Sequence, residues 1–136
     1  MSEAIVYTDE PGLGVDEFVD VLRRSTLAER RPVGDRGRIA RMLEQADIRL
    51  CARDAKGLLV GVARSLTDFS YCCYLSDLAV DVAWQRRGIG KELIHRTHAI
   101  AGLDATLILL SAPKAMSYYP HIGLTSSERA FTIAHR

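Results

Sequence analysis

The sequence predicts an α/β fold of the mixed, α+β kind, and three observations lead there. An apolar run from Tyr71 to Val80 passes through a glycine-spaced loop into a periodic segment, Ile89 to Ala101, which reads as strand, tight turn and helix in series. Two amphipathic repeats lie in the N-terminal third. Between them and the apolar run, Asp54-Ala55-Lys56-Gly57 separates two further runs of strand character.

Ala4 to Tyr7 reads as a first short strand, stopped by Asp9-Glu10-Pro11-Gly12. Val15, Phe18, Val19 and Leu22 recur at i, i+3, i+4 and i+7, which predicts a helix over 14–25. After a break at Arg30-Arg31-Pro32-Val33-Gly34, Asp35 is placed to cap a second helix carrying Ile39, Met42, Leu43 and Ala46 on one face. Ile48 to Arg53 and Leu58 to Leu66 are the second and third strands, and Thr67-Asp68-Phe69-Ser70 turns the chain into the fourth, Tyr71 to Val80. The helix after the loop ends at Gly102. Thr106 to Ser111 is a fifth strand, Pro113 can begin a helix carrying Tyr118 and Tyr119, and Thr125 to Ala134 is expected to close the sheet as one or two strands.

The 136 residues suit one domain, residues 1–136, with 48% hydrophobic and 26% charged residues. A net charge of +1 gives no global field for nucleic acid or an anionic membrane. No stretch approaches the roughly twenty apolar residues of a membrane span, and Met1-Ser2-Glu3-Ala4 has no cationic segment leading an apolar one, so no secretory signal is expected. Three cysteines, two of them adjacent at Cys72-Cys73, make a disulfide framework improbable and point to a reducing cytoplasm.

The loop holds the chemistry. Glycines let a ligand approach main-chain N–H groups without meeting a Cβ, and the first N–H groups of a helix lack internal partners. With Arg86, Arg87 and Lys91 alongside, the segment suits a phosphorylated ligand. A Walker A loop fails because Lys91 is followed by Glu92 and the first glycine position holds Gln85; a dinucleotide fingerprint fails because the third glycine position is Leu93. The pattern Q/R-x-x-G-x-G/A is met throughout by Gln85-Arg86-Arg87-Gly88-Ile89-Gly90, with Leu78-Ala79-Val80 upstream. A second block, Ala115-Met116-Ser117-Tyr118-Tyr119-Pro120-His121-Ile122-Gly123-Leu124, fits A-x-x-F/Y-Y-x-x-x-G-F with Leu124 for Phe. On these two blocks, which cover the second half of the chain, the sequence resembles the GNAT superfamily of acetyl-CoA-dependent N-acetyltransferases.

That resemblance implies a mixed central sheet with helices on both faces and parallel strands four and five splayed apart, leaving free backbone groups near Leu78 and Val80. It implies acetyl-CoA as donor, with pantetheine against Leu78, Ala79 and Val80. The Leu78 N–H would polarise the acetyl oxygen, a contribution of about 2.7–4 kcal/mol for one positioned donor. The pyrophosphate would lie on the N–H groups from Arg86 through Gly88, Ile89 and Gly90 to Lys91, after Gln85. Tyr119 falls on the family tyrosine that protonates the leaving thiolate, and Tyr118 on a packing aromatic. Strand positions where relatives place bases, or residues that hold a water, align with Tyr74 and Ser76; Ser76 is the candidate for holding a water. Asp77 is chemically the better base but alternates to the opposite face. Ala112-Pro113 stands where many relatives carry a cofactor-contacting asparagine.

No metal site is expected: His95 and His98 share a helix face without a third ligand and read as solvated, and His121 reads as a turn residue. The expected partner is a small-molecule or peptide amine, with no nucleic acid or membrane and a homodimer left open. A non-catalytic acyl-CoA-binding or protein-interaction domain is the rival class, motivated by the missing base; a toxin acting on aminoacyl-tRNA is disfavoured by the near-neutral charge. The acceptor side, built from the first helices and the last strands, carries no motif.

Overall fold

The computed structural model describes residues 4–135. Met1 to Glu3, read above as lacking a secretory signal, lie outside the described residues. In chain order the elements are β1 (Val6–Asp9), α1 (Val15–Arg24), α2 (Arg36–Gln45), β2 (Ile48–Arg53), β3 (Leu59–Thr67), β4 (Cys72–Val80), α3 (Ile89–Ala101), β5 (Thr106–Ile108) and α4 (Tyr118–His121). Short 3-10 turns occupy Leu27–Arg30, Val82–Trp84 and Pro113–Ala115. The five strands form one mixed sheet in sequence order, antiparallel from β1 to β4, with β5 parallel to β4.

Helices cover both faces. The repeat in α1 turns Phe18, Val21 and Leu22 inward, where they meet Ile39 and Leu43 of α2 over Val62 and Ala79. Asp16 and Glu17 in the first turn of α1, and Arg23 and Arg24 in the last, match the helix dipole. The Asp35 carboxylate accepts the Arg38 N–H at 3.0 Å and caps α2. On the other face Leu93 and Ile94 of α3 pack on Ile48, Leu50, Val60 and Leu75. Each such side chain stabilises the fold by about 1.5–3 kcal/mol through burial. The helix stops where Gly102 takes φ 107° and donates its N–H to the His98 carbonyl.

Three expectations for the second half are corrected. The fifth strand ends at Ile108 rather than Ser111, because only Cys72–Tyr74 of β4 pair with it. Arg64 of β3 faces Asp77 while its neighbour Ser65 faces Leu75, so Ser76 is an extra residue in β4. Such a bulge bends and twists its strand, and beyond it β4 has left β5. The closing strands expected over Thr125 to Ala134 do not form: residues 125–135 contain no strand, and Phe131 and Ile133 are 92% and 101% exposed. Alternating apolar residues make a strand only where a ladder and a buried face receive them. The helix expected from Pro113 is likewise divided into a 3-10 turn and the four-residue α4.

Candidate active site

Where β4 and β5 part, a cleft of about 1030 Å³ opens, with Leu78, Ala79 and Val80 on one wall and Leu109 to Ala112 on the other. The Asp81 N–H donates to the Val60 carbonyl at 2.8 Å. Backbone groups alternate in direction along an antiparallel strand, so Ala79 faces β3 while Leu78 and Val80 turn theirs into the cleft. The Val80 carbonyl there accepts the Gln85 side-chain amide at 3.0 Å. The bulge thus produces the free strand edge that the resemblance implied.

The loop after β4 is anchored at its start. One Asp81 oxygen accepts the Ala83 N–H at 2.9 Å and the other accepts Arg24, whose second nitrogen reaches the Leu59 carbonyl at 2.7 Å. Arg86 and Gly88 take left-handed backbone, φ 65° and 82°. Glycine adopts that region freely and arginine at a cost. The Arg87 guanidinium lies 4.7 Å from the Trp84 ring centre. Of the residues expected at the cofactor, Leu78, Ala79, Val80 and Gln85 line the cleft itself; Arg86 to Lys91 stand beyond its Gln85 end. The Ile89 side chain is buried in the core, leaving only its backbone for a ligand.

Tyr119 and Tyr118 occupy different surroundings. Tyr119 lines the cleft and packs against the α3-side core. Burial, and secondarily Tyr118, push its phenol above the ordinary value. Tyr118 meets it edge-on, ring centres 5.2 Å apart, and reaches over the start of α3, where a Cβ on Gly90 would lie 2.9 Å from its hydroxyl. Tyr118 therefore seats its hydroxyl on the helix as well as packing its ring.

The bulge also corrects the placing of Asp77. An uninterrupted strand would send Ser76 and Asp77 to opposite faces; here both serve Arg64, which donates to a carboxylate oxygen of Asp77 and to the Ser76 hydroxyl at 3.1 Å. Arg31 donates to the second Asp77 oxygen at 2.5 Å and to the Ser76 carbonyl at 2.8 Å. Asp77 is fully buried with both oxygens engaged, so it is no free base. Tyr74 and Ser76 both line the cleft, and the Ser76 hydroxyl faces a cationic donor.

Sequence reasoning missed the wall opposite the cofactor loop. Arg30, Arg31, Arg38 and Arg64 all line the cleft, with Glu29 among them. Arg30-Arg31 had registered only as a helix break; the signal available was the density of arginine between the two amphipathic repeats. Of the histidines, His135 lines the cleft, while His95 and His98 stand on α3 outside it. His95 is exposed, while the His98 ring, read above as solvated, is hydrogen-bonded to the Ala105 carbonyl at 2.7 Å. Among the described residues no cluster of His, Cys, Asp and Glu could hold a metal ion.

The free β4 edge, the glycine loop and the cleft between splayed parallel strands together define an acetyltransferase architecture. The family model described as an acetyltransferase (GNAT) domain matches residues 14–134, and the chain belongs to this family. Its fold is shared by a GNAT-family acetyltransferase of Streptococcus pneumoniae TIGR4 (TM-score 0.70, 16% identity, 98% of this chain and 100% of that one). It is also shared by an aminoglycoside N-acetyltransferase solved with CoA (TM-score 0.73, 17% identity, 100% and 97%). An aminoglycoside acetyltransferase from an uncultured soil metagenomic sample, solved with sisomicin, is similar too (TM-score 0.68, 21% identity, 98% and 95%). No curated protein matches the chain. No described helix is long and apolar enough to cross a membrane.

Proposed function

We propose that this acetyltransferase is an N-acetyltransferase that takes acetyl-CoA as donor and acetylates a primary amine by direct attack within a ternary complex. The observation that carries the reading is the free backbone N–H groups of Leu78 and Val80 in the same cleft as the partly buried phenol of Tyr119. The CoA-bound aminoglycoside N-acetyltransferase of the same fold supports donor and reaction class.

The residues fit the donor. When bound, acetyl-CoA supplies an activated acetyl thioester. Gly88, with φ 82° and open space around its α-carbon, leaves main-chain N–H groups approachable, and Arg86 and Arg87 add positive charge. The N–H of Leu78 is turned to the cleft as a donor for a developing oxyanion. Tyr119, its pKa raised by burial, keeps its proton at neutral pH and is the group placed to give one up to a leaving anion. Ser76, oriented by Arg64, is assigned to hold a water beside the acceptor. Residues 1–136 act in this reading as one domain, in the cytoplasm, without nucleic acid or membrane as partner.

Steady-state release of free thiol from acetyl-CoA in the presence of an amine panel tests the proposal. Amine-dependent release, with an acetylated product of the expected mass, supports it. Tight binding of acetyl-CoA without release under any amine would favour the non-catalytic alternative.

A further inference from the structure

We propose that the acceptor is a small primary amine that also carries an anionic oxygen group, a carboxylate or a phosphate, and that Arg30 and Arg38 hold that group. This rests on the N-acetyltransferase reading above. Four arginines, Arg30, Arg31, Arg38 and Arg64, line the cleft on the side away from the cofactor loop, against one carboxylate, Glu29. Arg31 and Arg64 are committed to the buried Asp77, which neutralises only one of them. Arg30 and Arg38 are exposed and form no ion pair among the described residues, whereas Arg24, Arg36, Arg53 and Arg96 each meet a carboxylate. The chain as a whole has a net charge of only +1, so this excess is local to the wall. The loop assigned to the donor has its own cations, Arg86, Arg87 and Lys91, and leaves Arg30 and Arg38 for the second substrate.

Two consequences follow from Coulomb's law. A polycationic acceptor, such as an aminoglycoside, is repelled by the wall, while an anionic group is attracted and can be gripped by the guanidinium forks. An ammonium group brought beside like charges also loses its proton more readily. The wall therefore supplies the unprotonated amine that direct attack requires, although Asp77, the nearby acid on β4, is locked between guanidinium groups. Substrate charge and the missing base have one explanation.

The test measures acetyl-CoA turnover with matched probes: amino acids against their C-terminal amides, and phosphoethanolamine against ethanolamine, with spermidine and kanamycin as polycations. The acid-bearing member of at least one pair should have kcat/KM about ten-fold or more above its neutral partner, the scale of a charge-assisted hydrogen bond; which pair responds separates carboxylate from phosphate. Arg30→Ala and Arg38→Ala should raise KM for that probe about ten-fold with kcat nearly kept. They should also move the acidic limb of kcat to higher pH while leaving its alkaline plateau in place, because the bound amine recovers its ordinary basicity. Arg41→Ala, on the same helix outside the cleft, should change neither. Equal or better turnover of the neutral or polycationic probes overturns the inference and leaves the transferase standing. If acetyl-CoA binds but no probe of either kind is turned over, the transferase reading fails and this inference with it.

Discussion

The stretch from Leu78 on β4 through the glycine loop to the start of α3 is continuous in the chain, and its first part, Leu78 to Gln85, lines the cleft, whereas the arginine wall is gathered from Glu29 to Arg38, Arg64 on β3 and the bulge at Ser76. The first works through backbone: a free strand edge, left-handed loop residues and helix N–H groups, which only certain residue types permit. The second works through side-chain charge, and almost any surface position tolerates an arginine. A site made from backbone geometry therefore leaves a spaced pattern in sequence, and a site made from converging long side chains does not.

The comparison can be broken most forcefully at the loop. Gly90→Asp places a Cβ within 2.9 Å of the Tyr118 hydroxyl and a carboxylate where the pyrophosphate is assigned; Gly88→Asp forces aspartate into φ 82°. Both should abolish acetyl-CoA binding by calorimetry, with a lowered thermal unfolding midpoint but a cooperative transition still present. Unchanged affinity in both would remove the phosphate-loop assignment.

Tyr119→Phe should lower kcat by roughly 10²–10⁴, the range for a positioned acid, with acetyl-CoA affinity little changed. Because burial raises the phenol's pKa, the neutral donor form persists to higher pH than for a free tyrosine. The alkaline limb of kcat should accordingly lie above about pH 10, the ordinary phenol value, and disappear in the variant. Tyr118→Phe should leave kcat nearly intact; the reverse pattern would exchange the roles of the two rings.

Asp77→Asn sharpens the contrast from the other wall. Removing the one carboxylate that Arg31 and Arg64 share leaves buried positive charge, and urea unfolding should show a loss of about 3–5 kcal/mol. A loss under 1 kcal/mol would mean that the cluster contributes little to holding the two arginines. At the smallest scale, Asp35→Ala removes the cap of α2 and should cost about 1 kcal/mol with a modest rise in acceptor KM, since α2 carries Arg38. Acetyl-CoA affinity should not follow either change.

Much of the fold was legible because local rules set it. The Asp35 cap, the Gly102 stop, the α3 boundaries and β2 agree with the sequence reading, and the ends of β1, β3 and β4 differ from it by at most two residues. Tyr119 and Leu78 to Val80 were legible because their blocks are contiguous. The closing strands were not, since Phe131 and Ile133 alternate as a strand would but have no neighbour to pair with. Nor was the shared face of Ser76 and Asp77, which an unbroken two-residue alternation forbids.

By itself the sequence determined the order of elements, the helix faces and the glycine-spaced loop after β4, because periodicity, caps and glycine positions act over a few neighbouring residues. Only the tertiary structure decided where β4 leaves β5, that Asp77 is enclosed by Arg31 and Arg64, and that Arg30 and Arg38 stand unpaired over the same cleft. Those outcomes depend on register between strands and on charges from distant segments meeting in space. Both are set by cross-strand hydrogen bonds and by Coulomb forces between groups whose separation along the chain does not reveal their distance.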